Sequence, residues 1–382
     1  MDKKRILIIG ATSTSLTNFR GDFIRCLIKE GFDIYTAASN YSGDTISRLK
    51  DFGVVSTFDY TLQRTGLNPF NDLKTIFDLK KIIKENNIDL VFPYTVKPVI
   101  YGTFAANMCK VPVISLITGL GFAFTGLTFK AKVLQRLNEF LYKRTIRKNK
   151  VVVFQNSDDR NLFLERNILK PKNNTAIVSG SGINLDNFNF RVNNNTTNTI
   201  SFLIVARLIR EKGINLYVDA AKILKKKHPN AEFHVIGPAQ NSPSAIKIEE
   251  LIALNEEGTL IYHGGQSNIP EHLVNRDVFV LPSFYREGVP RSILEALSVG
   301  LPIITTDTPG CRETVLKNKN GILIAPQSLD ELVEAMTFFI TNREKLKEMG
   351  VNSRKYAEER FDVNIINNDL LKIINSVFDT LN

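Results

Sequence analysis

Short runs rich in β-branched residues alternate with helical stretches along the whole of this chain. The strand candidates are residues 5–10, 33–38, 90–93, 111–117, 151–155, 176–179, 200–206, 231–237, 260–263, 278–282, 302–306 and 321–324. Stretches with helical periodicity separate them, as at Phe19 to Lys29 and at Leu73 to Asn87. Alternating strands and helices form parallel sheets that are covered by helices. The sequence therefore predicts an α/β fold with doubly wound parallel sheets.

The length predicts two domains. A chain of 382 residues is long for a single hydrophobic core. The polar, low-complexity run 193–198 marks the edge of a second domain. We therefore predict two doubly wound α/β domains at residues 1–190 and 191–362, with a last helix, about 363–382, that packs back onto the first domain.

The composition is that of an ordinary soluble globular protein, with 43% hydrophobic and 23% charged residues. The three cysteines, Cys26, Cys109 and Cys311, are too widely spaced for a disulfide framework or a metal cluster, which predicts a reduced cytoplasmic setting. Ile6 to Ile9 is too short for a signal-peptide core and is interpreted as the first strand.

The net positive charge lies in the first half of the chain. Residues 1–190 contain 27 Lys and Arg against 16 Asp and Glu, whereas the remainder contains 22 against 23. Eight of the basic residues, with Glu139 as the one acidic residue, fall in 130–150, where apolar residues recur at helical spacing. This pattern predicts a basic amphipathic helix. It either contacts an anionic membrane surface, through Lys143, Arg144, Arg147 and Lys148, or is a solvated domain face.

An uncharged run precedes that helix. Residues 111–129 approach the length of a membrane-spanning helix, but Pro112 and three glycines interrupt them, so we predict a strand followed by an apolar loop at 119–127. Such a loop beside a basic helix either faces lipid or packs against the other domain. Together the two features predict peripheral attachment at the inner face of the cell membrane.

Two carboxylates lie eight positions apart where a buried strand runs into a helix. Glu287 follows the strand, Gly288, Val289 and Pro290 form a turn, and Glu295 is expected about two turns into the helix. Open α/β sheets bind ligands at this edge, where backbone N–H groups favour anions. A carboxylate there is better suited to sugar hydroxyls than to phosphate.

Two basic residues occupy a similar position earlier in the second half. Arg207 ends a predicted strand, and Lys212 with Gly213 opens a helical pattern. Cations at a strand-to-helix loop suit a diphosphate, although isolated basic residues are more often solvated surface charges.

These segments together resemble the family 4 retaining glycosyltransferases. Glu287-x7-Glu295 and the residues that follow it, up to Glu313, resemble the donor-site signature of that family. Residues 201–213 match its strand and loop with an Arg and a Lys five positions apart, and residues 178–188 resemble its interdomain segment. The resemblance covers the C-terminal half specifically and the N-terminal half more loosely.

The resemblance implies two facing Rossmann-like domains of the GT-B type, with the active site in the cleft between them. It assigns Arg207 and Lys212 to the leaving diphosphate, Glu287 to the transferred sugar and Glu295 to the ribose of a nucleotide-sugar donor. Further donor-binding residues are assigned at Gly288, Val289, Pro290, Gly237 and Ile269. It also implies retention of anomeric configuration by front-face attack.

No metal and no cofactor are expected. The chain contains no Asp-x-Asp, the motif with which another glycosyltransferase fold holds a divalent cation. The four histidines lack zinc spacing, so each is interpreted as structural. The first loop lacks G-x-G-x-x-G, which argues against a nicotinamide or flavin dinucleotide.

The first loop departs from the family pattern. Where many members have Gly-Gly, residues 10–20 offer hydroxyls and an amide, so the acceptor or first-loop candidates are Ser13, Thr14, Asn18 and Arg20. Many relatives also place a histidine near the donor sugar, but residues 1–227 contain none. Lys97 is the nearest candidate for that role, unless it is an ordinary rim lysine.

One subgroup matches the N-terminal half better. Asn18-Phe-Arg20, Leu67-Asn-Pro-Phe70 and Gly119-Leu-Gly121 resemble the bacterial enzymes that add a hexosamine to a sugar on polyprenyl diphosphate. Gly119 and Gly121 are accordingly assigned to the acceptor side.

The resemblance therefore predicts a retaining, metal-independent glycosyltransferase. It would move a hexose or N-acetylhexosamine from a UDP-linked donor to a lipid-linked sugar in surface polysaccharide or glycan assembly. The alternatives are a nucleotide-sugar epimerase or phosphorylase on the same architecture, or a non-catalytic sugar-nucleotide-binding protein. Nucleic acid is not an expected partner, because the basic helix lacks a stacking-aromatic array.

Overall fold

The computed structural model describes residues 3–62, 69–121, 124, 129–193 and 199–381. The chain divides into two compact units. Unit one comprises Met1–Ser181 together with Val363–Asn382, and unit two comprises Gly182–Asp362.

The strands of unit one are all parallel. They are β1 (Arg5–Ile9), β2 (Asp33–Ala38), β3 (Ser56–Asp59), β4 (Leu90–Pro93), β5 (Ile114–Ile117), β6 (Val151–Phe154) and β7 (Thr175–Ile177). They pair in the orders β3-β2-β1-β4 and β5-β6-β7, and bridges from Val91 to Val113 and from Tyr94 to Leu116 join the two groups. The helices between them are α1 (Ser13–Lys29), α2 (Gly43–Asp51), α3 (Pro69–Glu85), α4 (Val96–Cys109), α5 (Phe129–Thr145) and α6 (Ser157–Glu165).

Unit two repeats the scheme. Its parallel strands are β8 (Ile200–Val205), β9 (Ala231–Ile236), β10 (Ile261–Tyr262), β11 (Val278–Leu281), β12 (Ile303–Thr306) and β13 (Gly321–Ile324), in the order β10-β9-β8-β11-β12-β13. Its helices are α7 (Ile214–Lys227), α8 (Ile248–Glu256), α9 (Ile269–Val274), α10 (Arg291–Val299), α11 (Leu329–Thr341) and α12 (Glu344–Tyr356). The doubly wound parallel α/β prediction is confirmed.

The last helix, α13 (Val363–Asp379), belongs to unit one and contacts α1. Its residues Ile366, Leu370 and Ile374 lie in the core with residues of α1 and α2, on one face of the sheet. Residues of α3, α4, α5 and α6 fill a second core on the other face. Unit one is therefore a sheet between two helix layers.

The boundary between the units lies earlier than residue 190. The backbone N–H of Ile183 donates to the carbonyl of Phe361 at 2.8 Å, and Phe188 is buried in the core of unit two. Residues 182–190 therefore belong to unit two. In the polar run, residues 194–198 lie outside the described residues, and the Asn193 amide donates to Asp277 at 2.8 Å.

The expectation of an apolar loop that faces lipid or the other domain is wrong for the two large apolar residues that the structure describes there. Leu120 and Phe124 are buried in the core of unit one with Phe163. Residues 122–123 and 125–128 of this segment lie outside the described residues. Among the described residues, no helix is long and apolar enough to cross a membrane.

Candidate functional site

Two neighbouring strands of unit two bring three of the predicted donor-site residues together. Arg207 and Lys212 follow β8, and Glu287 follows β11, which pairs with β8. Because the strands are parallel, the loops after them lie at one edge of the sheet.

Lys212 and Glu287 form an ion pair at this edge. The Lys212 ammonium contacts Oε1 of Glu287, and the two side chains are only 12% and 13% exposed. The Ser283 hydroxyl donates to the same carboxylate oxygen at 3.2 Å. A cation and a carboxylate thus lie in contact at the edge of the sheet where β8 and β11 end.

An aromatic ring lies beside both cations. The Tyr285 ring centroid is 5.7 Å from the Lys212 ammonium and 5.5 Å from the Arg207 guanidinium. Both distances allow cation–π attraction. Tyr285 and Ser283 were not among the predicted site residues, although both lie between the strand and Glu287.

Backbone hydrogen bonds hold the two loops together. The Glu211 carbonyl accepts from the N–H groups of Phe284 at 2.9 Å and Tyr285 at 3.0 Å. Gly213 has φ of 77°, and a Cβ there would lie 2.2 Å from the Pro282 carbonyl oxygen. Because only glycine permits this approach, Gly213 fixes how near Lys212 lies to the β11 loop.

The turn after Glu287 is closely packed. Gly288, Val289 and Pro290 are buried, and a Cβ on Gly310 would lie 2.0 Å from the Gly288 carbonyl oxygen. The side chain of Val289 therefore packs inside unit two.

Glu295 lies on α10, which begins at Arg291. It is thus just over one turn into the helix, not about two. The Arg291 Nε donates to Glu295 at 3.1 Å. Burial raises the pKa of the Glu295 carboxyl, and Arg291 opposes that shift.

Gly237 directly follows β9, and Ile269 is the first residue of α9, which follows β10; both strands lie on the other side of β8. The Gly237 N–H donates to the Gly264 carbonyl at 2.9 Å, and a Cβ on Gly237 would lie 2.1 Å from the Ala206 carbonyl oxygen. The predicted donor residues therefore follow one continuous edge of the unit-two sheet.

The first-loop prediction in unit one needs correction, because α1 already begins at Ser13. The Ser13 hydroxyl is buried and donates to the Asn40 carbonyl at 2.6 Å. Arg20 is 2% exposed, with its guanidinium 5.2 Å from the Tyr94 ring. These two side chains are interior, whereas Thr14 and Asn18 are exposed on the helix.

The other unit-one candidates follow β4 and β5. Lys97 lies in the first turn of α4, with its ammonium 3.5 Å from Asp72 and 5.9 Å from the Tyr101 ring. Gly119 and Gly121 have φ of 106° and 67°, values that favour glycine. The roles of all three in catalysis or acceptor binding stay predictions.

The basic helix has a different arrangement from the one expected. Arg147 donates from Nε to the Ile168 carbonyl at 2.9 Å and from a terminal nitrogen to the Asn167 carbonyl, so its charge serves contacts within unit one. Arg144 and Lys148 are exposed, and Lys143 is half-buried. Val133 and Phe140, two of the apolar residues that recur at helical spacing in 130–150, are also exposed.

The side chains of three of the four histidines lie close together. His234 Nδ1 lies 3.0 Å from His263 Nε2, and the rings of His263 and His272 are 5.1 Å apart. Burial, with Arg276 nearby, lowers the pKa of His234 to about 3, so this ring is neutral. Within the described ranges, no group of three or more His, Cys, Asp or Glu could hold a metal ion.

Two family models match consecutive parts of the chain. The glycosyl transferases group 1 model matches residues 186–356, and the glycosyl transferase 4-like model matches residues 5–156.

Two curated relatives match nearly the full length. One is the N,N'-diacetylbacillosaminyl-diphospho-undecaprenol alpha-1,3-N-acetylgalactosaminyltransferase of Campylobacter jejuni, 29% identical, with 98% of this chain and 99% of the relative covered. The other is the UDP-Gal:alpha-D-GlcNAc-diphosphoundecaprenol alpha-1,3-galactosyltransferase of Escherichia coli, 27% identical, with coverage of 94% and 91%.

Solved structures share the fold at lower identity. Sucrose-phosphate synthase from Thermosynechococcus elongatus superposes with a TM-score of 0.80 at 15% identity, covering 99% of this chain and 100% of that one. The Anabaena protein HepE in complex with UDP has a TM-score of 0.77 at 18% identity, covering 98% and 100%. These two likenesses bear on the fold alone.

Proposed function

This chain belongs to the glycosyltransferases, with the group 1 and 4-like domains of the GT-B fold, and from that premise we propose its reaction. It transfers a hexose or N-acetylhexosamine from a UDP-sugar to a sugar carried on a polyprenyl diphosphate, in the assembly of a surface glycan. The names of the two relatives support this acceptor class, because each specifies a sugar on diphosphoundecaprenol.

The contact between Lys212 and Glu287 is the observation that carries the proposal. It pairs a cation suited to the β-phosphate with a carboxylate suited to hydroxyls of the transferred sugar. Arg207 shares the Tyr285 ring with Lys212, so a second cation lies beside the same position.

In the proposed mechanism the acceptor hydroxyl attacks the anomeric carbon from the side of the leaving diphosphate. The bond between that carbon and the phosphate oxygen breaks, a bond to the acceptor oxygen forms, and the acceptor proton moves to the released diphosphate. Arg207 and Lys212 stabilise the charge that develops on the diphosphate. Glu287 orients the sugar, and Glu295 binds the ribose.

The direct test mixes the protein with a panel of nucleotide sugars and a polyprenyl-diphosphate-linked sugar. We expect release of UDP and a product one sugar longer, both dependent on the acceptor. Conversion of one nucleotide sugar into another without acceptor would instead indicate an epimerase.

We predict that turnover needs no divalent metal and keeps the anomeric configuration of the donor. Arg207 and Lys212 would supply the positive charge that a metal supplies elsewhere. Activity should be unchanged in excess chelator, and NMR of the product should show the donor's anomeric configuration. A strict cation requirement or an inverted product would contradict this mechanism.

We further propose that unit one attaches peripherally to the inner face of the cell membrane. Replacing the exposed residues Lys132, Arg136, Arg144 and Lys148 with Glu should remove at least about 4 kcal/mol of attraction at low salt, since each basic residue contributes about 1 kcal/mol. Partitioning onto anionic vesicles should then fall about a thousandfold, as measured by sedimentation.

The matched control replaces Lys226, Lys227, Lys317 and Lys319 of unit two with Glu, which changes the net charge equally. It should retain most of the vesicle binding, and both variants should bind UDP as the unchanged protein does. Equal losses in both variants would show that total charge, not the basic segment 130–150, governs attachment.

A further inference from the structure

Large apolar side chains are exposed along one side of α3 and one side of α5. Of the large apolar residues that the structure describes, Phe129 and Phe70 are the most exposed, at 84% and 83%. Phe70, Leu73 and Phe77 form the α3 stripe, and Phe129, Val133 and Phe140 form the α5 stripe. The spacings of i, i+3, i+7 and of i, i+4, i+11 keep each stripe on one side of its helix.

The two stripes belong to the same side of unit one. Leu79 of α3, Val99 of α4 and Tyr142 of α5 share one core, so the three helices cover the same face of the sheet, and α4 contacts both of the others. Helices α1, α2 and α13 cover the opposite face.

Both stripes also begin at the same edge of the sheet. The helices α3 and α5 follow the parallel strands β3 and β5, so each starts where its strand ends. Phe70 and Phe129 lie in the first turns of these helices. The two most exposed apolar residues therefore stand at one edge and on one side of unit one.

Cations accompany both stripes. The Lys80 ammonium lies 5.9 Å from the Phe77 ring, and the Arg144 guanidinium lies 5.1 Å from the Phe140 ring. Lys132 and Arg136 are exposed on α5. Aromatic residues with adjacent basic residues are typical of helices that lie in a bilayer interface. A second copy of this basic surface would be repelled, whereas an anionic lipid surface complements it.

We infer that the α3 stripe and the α5 stripe form one docking face for an anionic lipid bilayer. The apolar side chains enter below the headgroups while the cations stay among them. The inference rests on the proposed membrane attachment and extends it, since α3 becomes a second point of contact. Two contacts fix the tilt of unit one, so the edge where its strands end is held near the lipid-borne acceptor.

The absence of tryptophan from the sequence gives a direct test. Phe70→Trp and Phe129→Trp each introduce a single fluorescent reporter, and Ile46→Trp is the control, because Ile46 is exposed on α2 at the opposite face. With vesicles of phosphatidylcholine and phosphatidylglycerol, emission from positions 70 and 129 should shift to shorter wavelength, and brominated acyl chains should quench it. Position 46 should show neither effect.

Three results would overturn the inference. A response at position 129 without one at position 70 would mean that α5 docks alone. If the protein sediments with the vesicles but neither position shows a wavelength shift or quenching, another surface contacts the bilayer. Concentration-dependent dimers that Leu73→Ser with Phe77→Ser abolishes would mean that a second copy covers the face.

A second variant separates docking from catalysis. Leu73→Ser with Phe77→Ser should lower vesicle partitioning about tenfold or more, with an unchanged melting temperature. Transfer to a short-chain, water-soluble acceptor should be preserved. If the unchanged protein transfers no sugar to any acceptor, the proposed function fails, and the fluorescence result still decides the docking face.

Discussion

Replacing Lys212 with alanine should lower kcat about 10²- to 10³-fold. In the proposed mechanism the ammonium stabilises charge that develops on the leaving diphosphate, and removing one such preorganised group costs about 2.7–4 kcal/mol. The loss should be larger in kcat than in UDP affinity, because the diphosphate gains charge as the bond between the anomeric carbon and the phosphate oxygen breaks. Steady-state kinetics and calorimetric titration with UDP measure the two quantities.

The matched control is Lys222→Ala in α7, whose ammonium lies 3.7 Å from Glu250 in an exposed pair. Exposed pairs contribute little, so this variant should keep its activity and stability. Activity of Lys212→Ala within twofold of the unchanged protein would remove Lys212 from the reaction.

Replacing Glu287 with alanine should lower kcat/KM about ten- to 150-fold without unfolding the protein. Charge-assisted hydrogen bonds to donor hydroxyls contribute about 1.5–3 kcal/mol. Glu295→Ala should lower kcat/KM by a similar factor, because it removes hydrogen bonds to the ribose hydroxyls of the donor. Kinetics with the true donor and thermal unfolding distinguish loss of binding from loss of fold, and unaltered kinetics in Glu287→Ala would overturn the assignment.

The ion pair makes the two replacements interdependent. In Glu287→Ala the Lys212 ammonium loses its carboxylate partner and part of its orientation. The double variant should therefore lose less than the sum of the single losses in free energy. Strict additivity would mean that the pair does not act as a unit. Glu287→Gln, which keeps the shape and one acceptor oxygen, should lie between the unchanged protein and Glu287→Ala.

Most strands could be predicted because they are buried and rich in β-branched residues. The prediction missed β3, since Ser56–Asp59 contains only one large apolar residue, Phe58, and pairs only with β2 in the described sheet. The start of α1 was also missed. Its first turns carry Ser, Thr and Asn, which favour loops locally, and contacts such as the Ser13 hydrogen bond to Asn40 come from distant sequence.

The candidate site could be predicted where residue type and position at a strand end coincide, as at Glu287 and Lys212. Their contact could not, because 75 positions separate them and only the pairing of β8 with β11 brings them together. The contacts of Arg147 could not be predicted either. A run of basic residues in the sequence does not reveal which of the side chains donates hydrogen bonds to backbone carbonyls of the same unit.

Unit two is inserted within the sequence of unit one, and this sets an order on synthesis. The ribosome makes all of Gly182–Asp362 before it makes α13, which supplies Ile366 and Leu370 to the core beside α1. At 5–20 residues per second, roughly 10–40 s pass between the end of β7 and the start of α13. Unit two can close its own core in that interval, whereas the part of α1 that contacts α13 stays uncovered. The half of the protein that is translated first is therefore the half that is completed last.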